Sequence, residues 1–168
     1  LEPSARHLEE MKTYIRWLVR NRQNVLTFHF LNTVDMEPWK AHMSQIVEFA
    51  HGYSVQVGVV IGFVDQQQNA FRLIRPSEDG ETAEAQIVRR ITPILDTGLD
   101  WIGFQIGSSE FTKPDEDLML EWLNYTVEFL AEAYPLVKPF AWIHITCGLD
   151  SESGGSFFHL PLQADRRL

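Results

Sequence analysis

The stretch Gly103-Phe104-Gln105-Ile106-Gly107-Ser108-Ser109-Glu110-Phe111 decides how this chain is read. It begins as a short apolar run, the mark of a buried strand, and ends small and polar. A helix is expected to start just beyond it, near Pro114. In a parallel sheet whose strands are joined by helices, chemistry is placed at such strand ends, where loops vary without disturbing the core. Glu110 is the carboxylate this segment delivers to that edge.

Working upstream, Ala83 to Leu95 reads as a helix with Ile87, Ile91 and Leu95 on one face. Pro93 should tighten its last turn and Gly98 should close it. Before it lies a Val/Ile-rich strand, Val55 to Val64, followed by the polar loop Asp65-Gln66-Gln67-Gln68-Asn69 and a turn-rich stretch from Arg72 to Gly80. Trp39, Met43, Ile46, Val47 and Ala50 form the stripe of a preceding helix, which Pro38 suits at its start and Gly52 at its end. Val25 to Asn32 is nearly continuously apolar, as expected of a strand covered on both faces. Leu8, Met11, Ile15 and Leu18 make the stripe of a first helix, with Ser4 as its N-cap.

Downstream, Pro114 to Tyr134 reads as a helix with a wide apolar arc that includes Leu118, Trp122 and Phe129. Phe140 to Thr146 is a fourth strand, and residues 147–168 read as a loop or tail. Nothing divides the chain, so residues 1–168 are read as one α/β domain or barrel segment.

Helix, then strand-helix three times, then strand, implies a parallel sheet. An open doubly wound sheet and a (β/α) barrel both satisfy that order. No glycine-rich phosphate loop follows any strand, and Thr27, His29, Gln105 and His144 put polar groups inside strands. Both features favour a barrel interior with a polar mouth. A complete TIM (β/α)8 barrel has eight strands and about 250 residues. The expectation is therefore part of such a barrel: four parallel strands, with Asn32, Asp65, Glu110 and Thr146 emerging at one edge. Its uncovered sheet edges would favour self-association.

Composition narrows the partners. The formal net charge is -9, and no Lys/Arg stripe is present, which argues against nucleic acid and against an anionic membrane surface. No apolar run is long enough to span a bilayer, and the polar first ten residues do not resemble a signal peptide. Cys147 is the single cysteine, so no internal disulfide forms. No cofactor motif is present. A small-molecule or oligosaccharide substrate is the expected partner.

At this point the residues resemble a family. Arg22-Gln23-Asn24-Val25-Leu26-Thr27-Phe28-His29-Phe30-Leu31 is similar to the phrase "his-lys-leu-asn-val-phe-his-trp-his-leu" of family-20 beta-N-acetylhexosaminidases, which are (β/α)8-barrel glycoside hydrolases. Ile46-Val47-Glu48-Phe49-Ala50 and the strand after it match the next helix–strand pair in type and order. Gln105-Ile106-Gly107-Ser108-Ser109-Glu110-Phe111 stands where that family has "his-ile-gly-gly-asp-glu-val". The resemblance covers roughly the first two thirds of the chain. It implies that Glu110 is the general acid. The family's acetamido-orienting Asp is Ser109 here, so acetamido assistance is not implied.

A glycosidase acid needs a second carboxylate opposite it. Asp150 and Glu152, after the fourth strand, are the nearest partners within this chain, and Asp150 is taken with Glu110 as the catalytic pair. Asn32, Asp35, Asp65, Gln66, Ser109 and His144 belong to the same edge and are the candidate substrate-binding groups. The bland reading of Glu110 is a residue favoured by a helix dipole. Trp101 and Trp142 lie in strands, where rings are more often core than sugar platforms. Two other readings compete: a degenerate, purely sugar-binding barrel, and a metal-dependent hydrolase using His29 and His144. No metal-ligand spacing supports the second, and no metal is expected.

Overall fold

A computed structural model describes residues 4–64, 69–75, 80–106 and 115–143. Within them the elements are α1 (Ala5–Arg20), β1 (Val25–His29), α2 (Met36–His51), β2 (Gln56–Gly62), α3 (Ala83–Leu95), β3 (Trp101–Ile106), α4 (Glu116–Ala133) and β4 (Lys138–Ile143). The strands form one sheet in the order β1-β2-β3-β4, and every pairing is parallel.

Local chemistry sets the helix boundaries. Ser4, Asp35, Thr82 and Asp115 each stand before a helix in extended conformation and accept a backbone N–H from its first turn. The last of these corrects the expected start of α4: Asp115 is the N-cap, so the helix begins after Pro114 rather than on it. Gly98 takes φ +85° after α3, a conformation that a side chain would resist. Pro93 stays inside α3, which runs unbroken to Leu95.

A sheet whose strands follow in chain order, each joined to the next by a helix of the same crossover sense, carries all its helices on one face. That face is formed by Leu26, Val57, Val59, Ile61, Ile102 and Phe104 from the strands, all buried. Against it pack Ile15 and Leu18 of α1, Met43, Ile46 and Val47 of α2, Ile87, Ile91 and Ile94 of α3, and Met119 and Leu130 of α4. The helices touch in chain order, α1 on α2, α2 on α3 and α3 on α4. A doubly wound sheet would instead have helices on both faces. The architecture is the α/β repeat of a TIM-type barrel, with four consecutive strands.

The opposite face corrects the expectation that β1 is covered on both sides. Val25 is 40% exposed, and Thr27 and His29 are exposed as well, because no helix of the described residues lies there. β1 also ends at His29 rather than Asn32, and β4 spans Lys138–Ile143, with Thr146 outside the described residues. Of the wide apolar arc read for α4, Leu118 is 43% exposed, while Met119 and Leu130 are in the core and Trp122, Leu123, Tyr125 and Phe129 pack against it.

At the N-terminal edge of the sheet, Asp100 fastens several elements together. Its carboxylate accepts from the Val57 N–H and lies 2.8 Å from His51 Nε2 on α2. Its backbone bonds to Val57 on one side and to the Lys138 N–H on the other. Among the described residues no helix is long and apolar enough to cross a membrane.

Candidate functional site

Side chains alternate along a strand, and residues paired across a parallel ladder share a face. The helix-free face is therefore built of rows. One row is Thr27, Gly58, Trp101 and Lys138; the next is His29, Val60, Gly103 and Phe140. Nearest the C-terminal strand ends, Gly62, Gln105 and Trp142 form a third.

This face is concave. His29 is on β1 and Trp142 on β4, the two outer strands, which stand about 14 Å apart in a flat sheet at about 4.8 Å per strand. Their rings nevertheless meet edge-on with centroids 4.7 Å apart. Side chains standing upright on a flat sheet would fall short of that, so the sheet is rolled as in a barrel wall. Two glycines let the concave face pack closely. A Cβ on Gly103 would strike the Phe140 ring, and one on Gly58 would stand 2.6 Å from Trp101 Cβ. The base of the concavity is closed by Trp101, whose Nε1–H donates to Gln56 at 2.9 Å while Lys138 Nζ sits 4.8 Å from its ring centroid.

Toward the C-terminal strand ends the concave face carries polar groups. Gln105 is 3% exposed, and its Oε1 accepts no hydrogen bond among the described residues. Although His29 is exposed at its edge, the partial desolvation of its ring lowers its pKa from the ordinary imidazole value and favours the neutral form near pH 7. Trp142 is 43% exposed, which corrects its reading as a core ring, and His29 meets it edge-on.

The segment from Asn69 to Ile74 fills the place where β1 and β2 part. It bridges Leu31 through Ala70 and bridges Gly62 through Arg72. Phe71 packs against Phe30 in a tilted contact with centroids 4.7 Å apart, and Leu73 and Ile74 are buried. Arg75 follows, donating from Nη2 to Asn32 Oδ1 at 3.3 Å, while its backbone N–H donates to Gln86 Oε1.

Of the expected site residues, Asn32 lies at this mouth and holds Arg75. Asp35 lies one turn further and caps α2, accepting from the Glu37 N–H at 3.3 Å. Asp65, Gln66, Ser109, Glu110, His144 and Asp150 lie outside the described residues. Gln105, Trp142, Arg72 and Arg75 were absent from the expected set. The alternation Phe71-Arg72-Leu73, apolar-charged-apolar, was the available signal for the strand-like segment. Among the described residues no three His, Cys, Asp or Glu side chains are grouped for a metal ion. A surface depression lined by Lys12, Gln45, Glu48, Phe49 and Tyr53 belongs to the helix layer, on α1, α2 and the turn after it.

No protein-family model matches the chain, and no curated protein matches it. Solved structures do share its fold. An O-GlcNAc hydrolase from Thermobaculum terrenum, solved as a single-site mutant, superimposes with a TM-score of 0.56 at 13% identity over 80% of this chain and 31% of that one. CpGH84B gives a TM-score of 0.56 at 14% identity, covering 80% of this chain and 24% of that one. The chain thus spans about a third or less of the proteins it resembles. Those neighbours are barrel glycosidases, and the likeness is one of fold.

Proposed function

We propose that this chain forms part of a carbohydrate-active barrel, a glycoside hydrolase whose substrate enters at the C-terminal ends of the strands. The observation that carries the reading is the rolled sheet whose concave face brings Gln105, His29 and Trp142 to its C-terminal end. A half-exposed indole beside neutral hydrogen-bonding groups suits a sugar ring, which offers C–H bonds on its face and hydroxyls on its rim. The likeness in fold to glycoside hydrolases supports it.

In this reading Glu110 is the general acid. Its carboxylic acid protonates the glycosidic oxygen as the C–O bond breaks, and Asp150 stands across the sugar as base or nucleophile. Asn32, Asp35, Asp65, Gln66, Ser109 and His144 contribute hydrogen bonds to hydroxyls from the surrounding loops. Glu110→Gln keeps the size and much of the hydrogen bonding but has no proton to give, so turnover should fall about 10²- to 10⁴-fold with sugar binding nearly kept. The loss should shrink for glycosides whose leaving group departs unprotonated. A Glu110→Gln protein as active as its parent on an ordinary glycoside would overturn the role.

A second reading, a barrel that binds sugar without cleaving it, is favoured by Ser109 standing where the resembled family has Asp. It predicts measurable binding by the parent and no turnover of any glycoside.

A further inference from the structure

We infer that a second copy of this chain docks on both ends of the sheet, so that two four-stranded halves close one eight-stranded barrel. The inference rests on the barrel-like fold and not on the carbohydrate reading. In a parallel ladder the N–H and C=O of one residue point to the same neighbouring strand, and successive residues alternate. Asn24 and Phe30 bond to β2, so Val25, Thr27 and His29 turn their backbone groups outward from β1. The Lys138 N–H bonds back to Asp100, just before β3, so Pro139, Ala141 and Ile143 turn outward from β4. Among the described residues neither outer edge is paired.

A TIM-type barrel has eight strands, and this rolled sheet supplies four in consecutive order. A two-fold axis along the barrel axis sets β4 of each copy beside β1 of the other, parallel to it. Closure then removes every edge, whereas a single added contact leaves edges open for further growth. The mouth is then lined by both copies, each giving its own His29, Gln105 and Trp142.

The exposed apolar side chains point the same way. Eight large ones stand well exposed among the described residues, and only Tyr53 of these lies on the inner part of the sheet and helix layer. Four are on α1 and β1, Tyr14, Trp17 and Val25 among them. Three, Leu118, Leu136 and Trp142, are on α4, β4 and the turn between them. Both flanks thus offer apolar surface that a neighbour would bury.

Charge selects the neighbour. α1 carries four cations, Arg6, Lys12, Arg16 and Arg20, against the carboxylates of Glu9 and Glu10. Arg16 and Arg20 form no ion pair among the described residues. α4 has five acidic residues and no Lys or Arg. Head-to-tail closure sets the acidic α4 of each copy beside the basic α1 of the other. Pairing the copies α1 against α1 would set cation on cation instead.

The test is the mass of the protein in solution, by sedimentation equilibrium across the micromolar range, with a charge exchange between the two helices. The parent should be a dimer of 19.4 kDa chains that grows no further with concentration. Arg16→Glu with Arg20→Glu puts acid against acid at both seams, and Glu121→Lys with Glu128→Lys puts base against base. Each double variant alone should dissociate about tenfold or more readily than the parent, since like charges brought together are costly. An equimolar mixture of the two should regain the parent's affinity, because both of its seams again pair opposite charges. That rescue is expected only where α4 of one copy meets α1 of the other. A monomeric parent overturns the inference and leaves the two flanks to strands of a different polypeptide. A parent that grows into open-ended assemblies overturns the closure. Variants as dimeric as the parent, or a mixture no tighter than either variant alone, overturn the placing of α4 on α1.

Discussion

Replacing Gly58 by alanine would place a methyl carbon 2.6 Å from Trp101 Cβ and 2.9 Å from the Trp101 carbonyl oxygen. Carbon atoms in contact prefer about 3.5–4.0 Å, so the two strands must part or Trp101 must move by roughly an ångström. Neither is easy. Gly58 and Trp101 are paired in the central β2–β3 ladder, and Trp101 is held by its bond to Gln56 and by Lys138 over its ring. Overpacking of this kind costs about 1–3 kcal/mol. It is opposed by the smaller entropy of the unfolded alanine chain, which returns about 0.4–1 kcal/mol. Overpacking wins, and Gly58→Ala should lose about 0.5–2.5 kcal/mol, or a few degrees in Tm for a chain of this size. Urea unfolding of parent and variant measures it. A Gly58→Ala protein as stable as the parent would refute the close β2–β3 approach and the packing of the concave face built on it.

Two other predictions test separate parts of the structure. His7 Nδ1 and His42 Nε2 lie 2.7 Å apart between α1 and α2, room for one shared proton, and burial and then the His7 charge hold His42 below the ordinary imidazole range. The unfolded chain then binds protons more readily, so stability is full above the unfolded value of about 6.5 and is lost as pH falls through the lower folded value. Urea midpoints across that window should fall less in His42→Gln than in the parent, and equal falls would contradict the pairing. Gln105→Leu removes a buried acceptor without a partner among the described residues, so it should leave stability within about 1 kcal/mol of the parent or raise it, while weakening sugar binding. A loss above about 2 kcal/mol would mean Gln105 is already satisfied.

Much of the fold was legible in the sequence because it rests on repeating patterns. The Ile87, Ile91, Leu95 stripe and the Trp39 to Ala50 stripe are buried as read, and Ser4 caps α1. The continuous apolar run from Val25 misled, because an apolar residue at a strand edge looks the same whether or not something covers it. Trp142 misled for the same reason: its exposure depends on the curl of the sheet, which no local pattern encodes. The edge where chemistry is expected was found from strand order. Arg72 was missed because its place follows from a bridge to Gly62, ten residues earlier, across a connection that reads as turn.

The claim that the concave mouth takes a sugar is tested most directly by NMR during titration with an oligosaccharide. The Trp142 indole N–H, the Gln105 side-chain amide and the His29 ring report from the mouth, and the Trp101 indole from its base. The account predicts saturable shifts concentrated on His29, Gln105 and Trp142, with Trp101 moving little and the α1–α2 surface around Phe49 silent. Shifts centred on Phe49 and Tyr53 of the helix layer, or no shifts at saturating sugar, would contradict it.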